Sequence, residues 1–417
     1  MRILIVGHVR PSHEMLHKHG HQTVLFMPRD RILPKDLSLP HESVISLAAD
    51  AESEAWIDIA AALHKAAPFD AVACYSDLYQ GLACSIARRL DVFTVADNDL
   101  LDKTTNKFLM RQALDACDVV HCRYRFARGE EEIRQAVHAL GFPCILKPVA
   151  GEASIGVVKV CAQSELDEAL VWVGEGDIAR GVIVEEFLVG DEFSVEAISV
   201  AGRHHVVAIT KKYKDPKTFV ELGHVVPAPI DDGAKATIES YVRQVLTALG
   251  FHNSPSHTEL IVTAKGPRII ETHTRLGGDK IVDLVTHATG INLYELSAKL
   301  SARMSLSDDI PEVITYARSA AIWFADPGVP GEQILESISG VDEARAMENV
   351  KLVETLKEPG SCGVVVKQSD DRSAMAIAVG SSAQEALATS REAIRRLNFL
   401  YRWKLAPDRA ADAAGLT

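Results

Sequence analysis

Nowhere does the chain set two cysteines in C-x-x-C spacing: its seven cysteines, Cys74, Cys84, Cys117, Cys122, Cys144, Cys161 and Cys362, are odd in number and scattered. That spacing suggests neither a disulfide framework nor a zinc site, so reduced, buried thiols are expected. Positive charge is short as well. With 44 Lys and Arg against 57 Asp and Glu, the formal net charge is −13. An extended nucleic-acid partner is thereby disfavoured, because such affinity comes from clustered cations. A small anion held by a few local lysines remains allowed. No run of 18 uncharged apolar residues occurs, and the apolar start MRILIVGHVR is too short for a signal peptide, so no membrane association is expected and the protein is read as cytoplasmic. The Walker pattern GxxxxGK[ST] is missing, and the lone Gly7 after the first apolar run is far from a dinucleotide fingerprint.

What is present is enough chain, 417 residues at 47% hydrophobic and 24% charged, for about two to four well-buried domains. Residues 1 to about 100 read as open α/β: a strand over 3–6, a helix over 12–19, a strand over 23–27, and a further strand over 71–74. His8, Arg10 and Glu14 lie at the carboxyl end of the first strand, where ligands of such sheets bind. Asp77 either caps the helix that runs to Leu90 or meets a substrate. In the segment 98–119, Phe108, Leu109, Gln112 and Ala113 stand at helical spacing. Lys103 and Lys107 stand four apart on one face, which calls for an anionic neighbour.

Three stretches carry the chemistry. FPCILKPVAGEASIGVVKV (142–160) ends an apolar strand in Lys147 and passes through a small-residue loop with Gly151, Ser154 and Gly156 into another strand. Small residues let backbone N–H groups turn onto an anion, and a lysine at the base adds a compact charge for phosphate. GVIVEEFLVGDEFSVEAISV (181–200) leaves a buried strand at Glu185 and Glu186. The backbone there, to Leu188, offers a carbonyl and an N–H to a purine edge, and Glu192 can accept from vicinal hydroxyls. HTELIVTAKGPRIIETHTRLGGDK (257–280) reads as a hairpin. With a three-residue loop at Ala264, Lys265 and Gly266, Glu259 stands opposite Glu271 and His257 opposite His273. Two carboxylates about 5 Å apart repel, a cost that a divalent cation removes; oxygen ligands beside phosphate suit magnesium. Arg275 and the Gly277-Gly278 turn follow.

In this order and spacing the three stretches resemble the ATP-grasp superfamily, and within it the bacterial L-amino acid (dipeptide) ligases. The resemblance covers 100–300 closely and the flanks more loosely. It implies an α/β chain of the ATP-grasp fold. A doubly wound α/β domain would span 1–105, two α+β ATP-grasp subdomains 106–185 and 186–310, and a small α+β subdomain 311–405, with a tail over 406–417. It implies that Lys107, Lys147 and Ser154 contact ATP phosphates, that Glu185, Glu186 and Leu188 form the adenine hinge, and that Glu192 holds the ribose. Glu259 and Glu271 would bind Mg2+, with Mn2+ able to substitute. His273 stands where the family has Asn, which puts the second metal in question. Arg275, with Gly278 after it, would stabilise the acyl phosphate and tetrahedral intermediate, and Glu221 and His224 would hold or deprotonate the amine. The implied activity is an ADP-forming ligation of an amino acid or small carboxylate to an amine, in a homodimer. A carboxylase or purine-type ligase, a small-molecule kinase and a nucleotide sensor are the alternatives.

Overall fold

A computed structural model describes residues 1–151, 156–174, 180–329 and 331–404. Ser154, most of the small-residue loop and the expected tail lie outside the described residues. The chain divides into two compact units: Met1–Lys212 with Val226–Ala317, and Tyr213–Val225 with the residues from Arg318 onward.

The first unit begins with a parallel sheet of β1 (Arg2–Val6), β2 (Gln22–Phe26), β3 (Ser43–Ile45) and β4 (Ala71–Ala73), in the order β3-β2-β1-β4. Ile3, Leu4 and Ile5 are wholly buried, as a parallel strand covered on both faces requires. The first helix, Arg10–Lys18, starts two residues before the expected 12, with Pro11 in its first turn, where the missing N–H costs nothing.

This helix also brings imidazoles together. The His13 and His17 rings lie 5.6 Å and 4.9 Å from that of His41, and the Thr23 hydroxyl bridges His17 and His41 at 2.7 Å each. Burial, reinforced by the other histidines and by Arg10, holds His13 down to about 3. Burial and His17 outweigh Asp36 and hold His41 down to about 4. An unfolded imidazole titrates near about 6.5, so acid protonates these rings in the unfolded chain first. Their contribution to stability is therefore complete above that pH and lost as the pH falls through the depressed values. Thermal melts are expected to show a midpoint that drops from pH 7 to pH 5, and His13→Leu to flatten the slope; an unaltered slope contradicts the assignment.

The next sheet holds β5 (Tyr124–Ala127), β6 (Cys144–Pro148), β7 (Val158–Val160) and β8 (Val182–Glu186), antiparallel in the order β5-β8-β6-β7. Val137, Leu140, Leu146, Leu166, Val173 and Val184 form its core with the helices Gly129–Leu140 and Leu166–Val173. The third sheet of this unit runs β13 (Gly266–His273), β12 (Pro255–Thr263), β9 (Gly190–Val200) and β10 (Arg203–Lys214), all antiparallel. Met110 and Leu114 of the helix Lys107–Ala116 share its core with Val242, Leu246 and Leu249 of the helix Asp232–Leu249.

Two local expectations are corrected here. Asn106 adopts extended backbone and its side chain accepts from the N–H groups of Phe108 and Leu109 at 3.0 and 3.1 Å. One helix, Asn98–Thr105, therefore ends and another begins at Lys107. Lys103 and Lys107 do not share a face: Lys103 pairs with Asp99, and Lys107 turns elsewhere. The buried face of the second helix is Met110, Arg111 and Leu114. The hairpin also differs. Thr263 pairs with Gly266, whose φ of 94° suits glycine, so the loop has two residues and not three. Glu259 still opposes Glu271, because the register shifts between Glu259 and Leu260, leaving Ile270 as an extra, bulged residue.

The second unit contains β11 (Glu221–Val226), β14 (Ser319–Ala325), β17 (Ala374–Gly380) and β16 (Val350–Thr355) in that order, a separate pair of β15 (Gln333–Ser339) with β18 (Asn398–Trp403), and the helix Ala383–Arg395. All seven cysteines are free, and Cys117, Cys161 and Cys362 are exposed where buried thiols were expected. Burial pushes the thiols of Cys74 and Cys122 up to about 12, which keeps them unreactive. Among the described residues no helix is long and apolar enough to cross a membrane.

Candidate active site

β6 delivers Lys147 to the end of its strand, 6% exposed, with Nζ 2.6 Å from Glu185 on the adjacent β8. Arg111 donates from Nε to the other Glu185 oxygen at 2.8 Å. Burial alone would raise the Glu185 carboxyl, but Arg111 and Lys147 outweigh it and hold the group down to about 2. Glu185 is thus an internal counter-ion for two cations. Along the hinge, Glu186 spends its N–H on Arg123 and its carboxylate on the Arg123 N–H and Nε, and Phe187 spends its N–H on Pro143. Among the described residues the Leu188 N–H has no backbone partner. Of the three hinge residues expected to read adenine, Leu188 keeps a donor for it.

Lys107 crosses from the start of its helix to donate to the Gly151 carbonyl at 3.0 Å and to approach Glu271 at 3.4 Å. The Lys107 N–H is fixed on Val149, which follows β6. Lys107 therefore ends at Gly151, four residues after Lys147 in the chain.

Glu259 and Glu271 face each other across β12 and β13. Glu259 is held by Lys212 and lies 3.2 Å from His257 Nε2; Lys212 also lies 3.6 Å from Glu192. Burial pushes the Glu271 carboxyl up, yet Lys107 and His273 overcome this, against the charge of Glu259, and keep it well below the usual carboxylate range. Two facing carboxylates with lysines as their present counter-ions fit a magnesium ion, which commonly takes one or two acids and completes its shell with water and phosphate. His273 does not fit. Its Nδ1 is 3.3 Å from Asp77 and its Nε2 3.4 Å from Glu271. Burial disfavours its charge, but the two carboxylates raise it to about 9. While both ring nitrogens face carboxylates in this way, the ring offers no free lone pair to a metal. Among the described residues no three His, Cys, Asp or Glu side chains form a ready metal cage, so the expected triplet of Glu259, Glu271 and His273 reduces to the two glutamates.

Asp77 does not cap its helix: it is the first residue of the helix Asp77–Leu90, Ser76 before it makes no side-chain cap, and the Asp77 carboxylate accepts from Arg275 Nε at 2.6 Å. Burial raises this acid, and His273 with Arg275 brings it down to about 2. Arg275 Nη1 bonds the Leu276 carbonyl, which fixes the plane of the guanidinium. Beyond it, Gly277 donates its N–H to Glu196 at 3.0 Å, and a Cβ there would lie 3.0 Å from the Glu196 carboxylate and His257. The carbonyl of Gly278 accepts from Ile281 and starts the helix Ile281–Thr289.

Arg111, Lys212, Glu196 and His257 carry much of this network and were given no role from sequence. His257 Nδ1 sits 2.6 Å from the buried Glu196, and its ring is pulled down by burial but raised overall by Glu196 and Glu259. A signal existed. Glu192, Ser194 and Glu196 alternate along β9, and Glu196 pairs with His257, Ser194 with Glu259, so period-two alternation places them on the face of Glu259 and Glu271.

Glu221 and His224 belong to the second unit. Glu221 is 3.4 Å from Lys214 and accepts from Ser369 at 3.1 Å, while His224 is 1% exposed and meets Phe324 edge-on at 6.1 Å. The residues in these contacts all belong to that unit.

Residues 140–283 match the ATP-grasp domain family, and residues 328–402 match L-amino acid ligase C-terminal domain 2. The chain is similar to an uncharacterized protein of Sinorhizobium fredii, 28% identical over 320 residues, which are 75% of this chain and 63% of that one. It is 26% identical over 251 residues to the alanine–anticapsin ligase of Bacillus amyloliquefaciens, covering 54% of this chain and 52% of the ligase. The crystal structure of an L-amino acid ligase from Bacillus licheniformis matches with a TM-score of 0.82 at 24% identity, over 96% of this chain and 98% of that one. This chain thus spans about half to two thirds of the length of these curated relatives.

Proposed function

We infer, from the premise that the chain belongs to the ATP-grasp superfamily, that it joins a small carboxylate, in the first place an amino acid, to an amine and converts ATP to ADP and phosphate. The observation that carries this reading is the convergence in one unit of Lys107, Lys147, the facing pair Glu259 and Glu271, and Arg275. The named ligases among its relatives support the direction of the chemistry.

In this reading the substrate carboxylate attacks the γ-phosphorus, a P–O bond to ADP breaks, and an acyl phosphate forms. The amine then attacks the acyl carbon; its lost proton passes to solvent or a base, the C–O bond to phosphate breaks, and an amide remains. Lys107 and Lys147 bind the phosphates, so chemistry rests on position and charge. Leu188 N–H orients adenine, and Glu192 takes the ribose hydroxyls. Magnesium held by Glu259 and Glu271, or manganese in its place, would neutralise charge on the transferred group. Arg275, locked by Asp77, stabilises negative charge on the acyl phosphate and the tetrahedral intermediate. Glu221 and His224 are given no chemical role, and His273 is assigned to orienting Asp77 and Glu271.

A pairwise matrix of amino acids and small carboxylates tests this, with ADP release and product mass as readouts. ADP is expected only when an acid and an amine are both present, with a product mass equal to their sum less water. ADP formed at full rate with one substrate alone, together with a phosphorylated product, contradicts it and identifies a kinase.

A further inference from the structure

We propose that Arg111 is a positioning residue that sets the spacing between the phosphate lysines and the metal carboxylate Glu271, acting through the bulged residue Ile270. The proposal rests on the ligase reading above.

Arg111 is wholly buried. Burying a guanidinium is costly unless its hydrogen bonds are met, and here they reach two separate elements. Nε bonds Glu185 at 2.8 Å, the same carboxylate whose other oxygen holds Lys147. Nη2 bonds the carbonyl of Ile270 at 2.9 Å. Nη1 is buried with no acceptor among the described residues, so the guanidinium is held by these two attachments and not by a full set of partners.

The Ile270 contact matters because of the register. From the two-residue turn, pairs run Thr263 with Gly266, Val262 with Pro267, Ile261 with Arg268 and Leu260 with Ile269. Continued without interruption, that ladder would place Glu271 opposite Thr258 and turn Glu271 to the other face, since side chains alternate with period two. The bulge at Ile270 restores Glu259 opposite Glu271. A bulge frees a carbonyl from the ladder, and Arg111 is what receives it. From the preceding residue, Ile269 donates its N–H to Tyr241 Oη at 2.9 Å, and Tyr241 in turn donates to the Val120 carbonyl at 2.8 Å. The bulge is thus held at both ends by side chains.

Arg111 also stands four residues after Lys107 on one helix face. Lys107 reaches the carboxylate of Glu271, and Arg111 the carbonyl of Ile270. One helix therefore grips two consecutive residues of β13, and through Glu185 it is tied to Lys147 as well.

The test compares binding of ADP alone and of ADP with saturating magnesium, by calorimetry, in wild type, Arg111→Lys and Tyr241→Phe, with thermal melts alongside. A lysine keeps the charge but cannot span both acceptors. Tyr241→Phe loosens the bulge from the far side and leaves Glu185 and Lys147 untouched. Both variants are expected to lose about 10- to 100-fold of the magnesium-dependent gain in ADP affinity, while metal-free ADP affinity in Tyr241→Phe stays at the wild-type value. A full magnesium gain in both variants overturns the proposal, as does a loss confined to metal-free binding. Should Arg111→Lys fail to fold, Tyr241→Phe decides alone. A wild type that binds no ADP sinks the ligase reading, and this proposal with it.

Discussion

Glu271→Gln is expected to lower kcat/KM for ADP release by about a hundred- to a thousandfold while the protein stays folded. The substitution keeps the shape of the side chain and removes only the charge. Glu271 is held ionised by Lys107 and His273 after burial has pushed the other way, an arrangement that keeps a carboxylate ready for a stronger cation. With glutamine there, Glu259 is left as the sole anionic donor. Its partner Lys212 already competes for it. Lys147→Ala belongs to the same prediction and is expected to abolish ADP release, but among the described residues it also leaves the buried Glu185 with Arg111 as its one cationic partner, so a lowered melting temperature accompanies it. A coupled ADP assay with melts on each variant separates the two effects. Turnover near the wild-type rate in Glu271→Gln would remove the metal site from the account.

Arg275→Ala is expected to leave ATP affinity within about threefold of wild type and to cut kcat by about a hundred- to a thousandfold. Asp77 and the Leu276 carbonyl hold this guanidinium in one plane, and among the described residues neither 185–188 nor Lys147 bonds it. A group aimed at charge that appears during reaction lowers kcat when removed, without weakening the ground state. Losing Arg275 leaves Asp77 with His273, at a cost of about 1–3 kcal/mol in stability. Equilibrium ATP binding and single-turnover kinetics check this. A large loss of ATP affinity with kcat preserved would move Arg275 to the nucleotide site.

Much of the site was legible because strand register is arithmetic. Counting from Gly266 put Glu259 opposite Glu271 and His257 opposite His273, and both pairs exist. The route was wrong even so: a three-residue loop and a two-residue loop plus a bulge give the same pairing beyond Ile270, and a sequence does not announce a bulge at an ordinary isoleucine. The lysine spacing misled for a similar reason. Lys103 and Lys107 share a face only if the helix is continuous, and the Asn106 cap breaks it. Arg111 looked like any charged helix residue; its burial depends on Glu185, 74 positions away. Glu185, conversely, was read for its backbone when its carboxylate is the buried hub. Charged residues that satisfy one another inside a unit leave no local pattern. Their signal is the partner, and the fold supplies it.

The central claim is that an acyl phosphate is formed at the site of Lys107, Lys147, Glu271 and Arg275. Its most direct test uses an acid substrate with both carboxylate oxygens labelled as 18O, turned over with ATP, magnesium and the amine. One 18O atom should appear in the inorganic phosphate for each amide formed. Amide formation with unlabelled phosphate would contradict the account, because the carboxylate would then never have been bonded to phosphorus.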